Sequence, residues 1–254
     1  MDDIIVTSSD NKILKLIKSI GAGKEKDKFI IEGENFVKDI SKKTEIYAYV
    51  VSESKAHLTF DETKRKVVVT DHLLAQVLKT VNPQGVLAIC YKKEVRLPGI
   101  TLPDKNPFVL VLDKIQDPGN MGTLIRSAKA FGVDYILTLK GTVDIYNDKV
   151  IRSSAGGILD IPIVEGLSYE QVIEHLKEKK INLVCTSPHA ELFHYEINLR
   201  QPIGIVLGNE SQGIAQELIT NSDFCVKIPM THMESLNVSV AGGILMHEVL
   251  KNRG

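Results

Sequence analysis

Five short apolar runs, each separated from the next by polar or helical sequence, constrain this 254-residue chain more than any other feature. They are FVLVLD (108–113), YILTL (135–139), NLVCTS (182–187), IGIVLG (203–208) and CVKIPM (225–230). None alternates polar with apolar residues, so none suits a strand with one wet face. Such runs belong to strands covered on both faces by helices. Helical patterns lie near 120–131, 168–180, 213–220 and 237–251. Residues 108–254 are therefore expected to form an α/β sandwich on a mostly parallel sheet.

The stretch EVRLPGITLPDKNP (94–107) carries three of the nine prolines and few apolar anchors. It reads as a linker over 96–107. Before it, Ile13, Leu14, Ile17 and Ile20 share one face of a helix over 11–20. KFIIEGENFVKDI follows, then strand-like IYAYVV (46–51) and KVVVT (66–70), a helix over 71–79, and GVLAICY (85–91). Residues 1–95 thus read as a small α/β domain.

Charge separates the two parts. Residues 1–100 hold 17 Lys and Arg against 14 Asp and Glu, whereas residues 101–254 hold 14 against 18. Nine lysines fall between Lys12 and Lys43, a modest sign that the N-terminal part meets a polyanion; a solvated lysine-rich face explains them equally well. No run of 18 apolar residues is present, so no membrane span is expected. The acidic start MDDIIVTSSDNK has none of the features of a signal peptide. Cys90, Cys185 and Cys225 lie in apolar runs without metal-ligand spacing and are expected to be buried, reduced thiols. A cytoplasmic protein is expected.

Ligands of open parallel sheets gather beyond the carboxyl ends of the strands, and three such ends are polar here. In LDKIQDPGNMGTLIRSAKAFG (112–132), Asn120 is the expected helix N-cap and Arg126 lies six residues on. Read alone, this is a capped helix with a surface arginine. In IGIVLGNESQGI (203–214), Glu210 follows the strand and Gly213 is expected to start a helix. The GxxxxG spacing matches a P-loop, but Ile214 stands where lysine is required. In IPMTHMESLNVSVAGGILMHEV (228–249), a strand and a helix meet at a polar hinge without glycine. Alone, Ser235 is an N-cap there and Asn237 a first-turn residue.

Together, DPGNMGTLIRSA, LGNESQGI and IPMTHMESLNVSVAGGILMHEV closely resemble, in order and separation, the three motifs of the SpoU/TrmH family of the SPOUT class. These are S-adenosylmethionine-dependent RNA 2′-O-ribose methyltransferases. KFIIEGENFVKDI and VNPQGVLAI (81–89) resemble that family's ribosomal-protein-like substrate-binding domain. The resemblance implies a parallel-sheet catalytic domain closed by a deep trefoil knot, an arrangement that general rules of chain threading disfavour. It also implies a homodimer joined through the catalytic domain, with helix 237–251 and its Val238, Ile244, Leu245 and Val249 as interface or core. The methyl donor is then held by Thr186, Leu207, Gly208, Ile228, Met230 and Leu236, largely through backbone. A sulfonium needs no glycine-rich anion nest, which accounts for the hinge.

By the same resemblance Arg126 is the catalytic arginine. Asn120 and Glu210 shape the loops, while Ser235 and Asn237 orient the ribose or the donor loop. Arg152 faces either RNA phosphate or a salt-bridge partner. No metal is expected, since no histidine pattern such as HExxH occurs. The substrate expected is rRNA, because of the separate N-terminal domain. A tRNA substrate and a non-catalytic RNA-binding role are the alternatives. A nicotinamide oxidoreductase is excluded, because the GxGxxG fingerprint is missing.

Overall fold

Continuous apolar runs do become strands with both faces covered. The computed structural model describes residues 5–78, 83–103 and 105–254. Residues 1–4 of the acidic start, Lys79 at the end of the expected helix 71–79, Val81 and Asn82 of VNPQGVLAI, and Asp104 of the Pro-rich stretch lie outside the described residues. The chain divides into two compact units, Met1–Lys93 and Glu94–Gly254.

The first unit runs β1 (Ile5–Val6), α1 (Lys12–Gly21), β2 (Lys28–Glu32), α2 (Glu34–Ile40), β3 (Ile46–Ser52), β4 (Arg65–Val69), α3 (Asp71–Val77) and β5 (Val86–Tyr91). Its mixed sheet has the order β1-β4-β3-β5-β2. Asn11 caps α1 by accepting from the Ile13 N–H at 2.9 Å. Ile13, Leu14 and Ile17 then pack with Leu74 of α3 on Ala48, Val50, Leu87 and Ile89 of the sheet. KFIIEGENFVKDI resolves into strand, turn and helix. Its Gly33 has φ 107, and a Cβ there would come 2.8 Å from the Gln84 side chain.

The second unit runs β6 (Phe108–Leu112), α4 (Pro118–Ala130), β7 (Tyr135–Leu139), α5 (Asp148–Ser153), β8 (Ile163–Leu167), α6 (Tyr169–Glu178), β9 (Asn182–Thr186), β10 (Leu192–Phe193), β11 (Ile203–Leu207), α7 (Gln216–Thr220), β12 (Phe224–Lys227) and α8 (Val238–Arg253). Its seven strands, in the order β10-β12-β9-β11-β6-β7-β8, are all parallel. On one face, Val109, Val111, Leu137 and Val206 pack with Val172 and Leu176 of α6 and Leu218 of α7. Alternate strand residues point to the other face, where α8 comes so near that a Cβ on Gly242 would lie 2.5 Å from Leu124 and 2.7 Å from Leu207.

Several sequence expectations shift. The stretch 94–107 is not a free linker, because its Val95, Leu97, Ile100 and Leu102 pack on the second core. The helix expected from 213 starts at Gln216: Gly213 has φ 71, and Ala215 precedes the first helical residue. The last strand stops at Lys227 rather than 230, two residues before Pro229, which has no N–H to donate to a sheet. Leu245 and Val249 are core residues, at 3% and 0% exposure, while Ile244 is exposed and Val238 partly so. Cys90 and Cys185 are buried, Cys225 is partly so, and all three thiols are free. Burial pushes the first two up to about 12.

Candidate functional site

The chain leaves β6 toward β7 and β8 on one side, whereas β11, β9, β12 and β10 lie on the other. The carboxyl ends of β6 and β11 therefore flank the point where strand order reverses, the usual place for a ligand in such sheets.

Asp113 follows β6 and is buried. Its carboxylate accepts the Ala215 N–H at 2.8 Å and the Tyr169 hydroxyl at 3.3 Å, and its own N–H donates to the Leu207 carbonyl at 2.9 Å. This ties the end of β6 to the loop after β11. Lys114 follows with φ 56, and its carbonyl accepts from the Asn209 side chain at 2.9 Å. Asn209 and Gly213 exchange backbone hydrogen bonds at 2.9 and 3.0 Å, closing a tight turn. Gly208 sits against that turn. A Cβ there would lie 2.4 Å from the Gly213 carbonyl carbon. Neither Asp113 nor Asn209 was singled out from sequence, although an acid ending an apolar strand was a readable signal.

Asp117, not Asn120, caps α4. The Asp117 carboxylate accepts the Asn120 N–H at 2.8 Å, with Pro118 as the first helical residue. That hydrogen bond, with Lys149 at 3.3 Å, holds the Asp117 carboxyl below its ordinary range. Asn120 is freed for another task. Its side-chain amide donates to Glu210 at 2.9 Å, and its oxygen accepts from the Asn237 amide at 3.0 Å. Asn237, not Ser235, caps α8, accepting from the Ser239 and Val240 N–H groups. Glu210, Asn120 and Asn237 thus form one hydrogen-bonded chain across three loops.

Thr186 donates to the Val206 carbonyl at 2.9 Å, joining the ends of β9 and β11. Leu207 is buried and Gly208 half-buried, while Leu236 is 37% exposed. Ile228 and Met230, half-buried, lie in a nine-residue segment. Among the described residues, the backbone of 228–236 makes no hydrogen bond within the protein. Ser235 belongs to that segment and is exposed. Arg126 is exposed on α4, and its side chain makes no hydrogen bond or ion pair among the described residues. The close approach of Gly157 to the Ile125 carbonyl, 3.3 Å from a Cβ built there, buttresses the helix beneath it. Arg152 is paired with Asp148 at 3.6 Å.

The family model described as the SpoU rRNA methylase family matches residues 107–247. The chain belongs to this family. A relative, the 23S rRNA (guanosine(2553)-2′-O)-methyltransferase RlmP of Bacillus subtilis, is 30% identical over 250 residues, covering 96% of this chain and 98% of its own length. The crystal structure of an AdoMet-bound rRNA methyltransferase from Sinorhizobium meliloti superposes with a TM-score of 0.88 at 26% identity, covering 98% of this chain and 97% of that one. A structure described as an RNA 2′-O ribose methyltransferase gives a TM-score of 0.81 at 29% identity over 98% of this chain and 99% of that one. The likeness thus spans both units, and the SpoU match covers the three loops that the Glu210–Asn120–Asn237 chain joins.

Proposed function

We propose that this SpoU-family protein methylates a ribose 2′-hydroxyl of 23S rRNA, with S-adenosylmethionine as methyl donor and no metal. The hydrogen-bonded chain Glu210–Asn120–Asn237 carries the reading, because it gathers three loops into one polar site beside the open backbone of 228–236. When bound, S-adenosylmethionine supplies an electrophilic methyl group on a sulfonium. The residues present fit such a ligand: the unused N–H and C=O groups of 228–236 are free to read an adenine. Thr186, Leu207, Gly208, Ile228, Met230 and Leu236 would hold it.

The chain's own task is to make a weak nucleophile react. Arg126 brings a guanidinium, a donor-only cation. It stabilises negative charge developing on the 2′-oxygen, whose proton passes to phosphate or water. Asn120 and Glu210 fix the loops from which Arg126 and the ribose are addressed. Ser235 and Asn237 orient the ribose or the donor loop. The likeness to rRNA-directed relatives along the whole chain supports the rRNA substrate and a cytoplasmic site of action.

A trefoil knot and a homodimer belong to the same reading. The return of Asn237 to Asn120 and the packing of α8 on α4 support the knot. Val240, Ile244 and Leu250, exposed along α8 at 51%, 37% and 44%, support a partner subunit on that helix. The test is transfer of labelled methyl from S-adenosylmethionine to 23S rRNA and to bulk tRNA, in chelator, with the modified positions mapped. Labelling of 23S rRNA at a 2′-hydroxyl is expected. Labelling confined to tRNA would replace the substrate, dependence on a divalent ion would remove the metal-free chemistry, and RNA binding without transfer would leave a binding protein.

A further inference from the structure

Three segments of the first unit meet at one end of its sheet. β5 runs antiparallel to both β2 and β3, so the chain entering β2, the chain entering β3 and the chain leaving β5 lie side by side. Backbone bonds join them: the Tyr91 N–H donates to the Glu45 carbonyl at 2.9 Å and the Lys92 N–H to the Asp27 carbonyl at 2.8 Å. These segments carry seven lysines against Glu25, Asp27 and Glu45. Lys24, Lys26 and Lys28 enter β2, Lys42 and Lys43 precede β3, and Lys92 and Lys93 follow β5.

Two tyrosines stand among these lysines. Register shifts between Ile46 and Ala48, which pair with the consecutive residues Cys90 and Ile89, so Tyr47 is an extra residue. A bulge of this kind re-aims a side chain. Ile46 and Ala48 on either side are buried, whereas Tyr47 is 36% exposed. Its ring meets Tyr91 edge to face at 5.9 Å. Lys28 lies 5.4 Å from the centre of one ring and 5.1 Å from the other, and is held there by Asp27 at 2.8 Å. Tyr47 itself lies outside both buried faces of the sheet, the one under α1 and α3 and the one that holds Phe29, Ile31, Val37 and Ile40.

We infer that Tyr47, braced by Lys28 and Tyr91, is a stacking platform for an unpaired base of the RNA substrate, with the surrounding lysines on the flanking phosphates. RNA-binding proteins read splayed bases on aromatic faces and track the backbone with positive charge. The inference rests on the functional reading above and makes Tyr47 a positioning residue, distant in role from the methyl transfer itself.

The test compares the full chain with Tyr47→Ala, Tyr47→Phe and Lys42→Gln/Lys43→Gln on a protein-free 23S rRNA transcript at two salt concentrations. Tyr47→Ala is expected to weaken RNA binding roughly 5- to 150-fold, the span of one lost stacked base. It should raise KM with kcat little changed, and leave S-adenosylmethionine affinity unchanged. Tyr47→Phe keeps the ring and is expected to bind within about twofold of wild type. The lysine pair should instead reduce the salt dependence of binding. If Tyr47→Ala binds the transcript like wild type while wild type methylates it, the platform is wrong and the functional reading stands. A defect seen with assembled ribosomal particles but absent with naked RNA would make the surface a protein contact and overturn the platform. Should Tyr47→Ala melt early, Tyr47→Lys against Tyr47→Phe decides: equal binding by the two would overturn it. Failure of wild type to methylate any RNA removes both readings.

Discussion

Arg126 stands apart from the polar residues near it. Asn120, Glu210 and Asn237 are bound to one another, whereas Arg126 is exposed and unbonded among the described residues. A group already paired would have to break a bond before it could meet a substrate; this one need not. Arg126→Ala should therefore leave S-adenosylmethionine affinity nearly unchanged and lower methyl transfer by about 10²–10³. Arg126→Lys should recover little, because an ammonium lacks the planar fork. Single-turnover methylation beside donor titration checks both, and near wild-type transfer by Arg126→Ala would reduce the residue to a surface arginine. Motif spacing made these residues legible. Which of them touch was not legible, because the two bonds span 90 and 117 residues of sequence. The capping roles were also misassigned. Asp117 and Asn120 are both good caps, and Pro118 was the signal that favoured the earlier one.

At the level of elements, the five apolar runs all became strands, because burial on both faces leaves a plain signal. β8 leaves no plain signal, since IVEGL is interrupted by Gly166 at φ 71, and β10 is two residues long. The turn between Gly208 and Gly213 offers a direct test. Gly208→Ala would drive a Cβ into the Gly213 backbone, so the turn carrying Glu210 must open. A loss of about 1–3 kcal/mol in stability is expected, with weakened donor binding, by thermal melting and calorimetry. A second test lies beneath the sheet. His175 on α6 bonds the buried Tyr135 hydroxyl at 3.0 Å, and burial lowers its pKa. The folded form then resists a proton that the unfolded chain takes up near pH 6.5. Stability is thus full above that value and falls as pH drops below it. Melting temperature should decline between pH 7.5 and 5.5, and more gently in His175→Gln, which accepts the same bond without titrating.

For the molecule as a whole, the boundary between the units sets what can be separated. Val95, Leu97, Ile100 and Leu102 pack on the second core, so a piece beginning at 108 leaves apolar surface uncovered, at roughly 1 kcal/mol per side chain. Residues 94–254 should melt higher than 108–254. Both should bind S-adenosylmethionine, and both should lose most affinity for 23S rRNA, since the lysine-rich unit is missing. Equal RNA affinity of the truncated and full chains at the same salt would assign recognition to the second unit alone. The sequence reading starts the second unit at 108 rather than at Glu94 because prolines mark both linkers and extended segments laid against a core.

The bond between Asn237 and Asn120 also has a consequence in time. Closing a loop of this length is costly in chain entropy and is repaid only when the pieces it joins are formed. The site is expected to assemble late, because its bond joins loops that are placed only once β6 and β11 have paired. A refolding protein should regain helical signal well before it regains donor binding, and during synthesis the same order keeps the enzyme silent until α8 has docked. Donor binding is then expected to be the last property that a refolding chain regains.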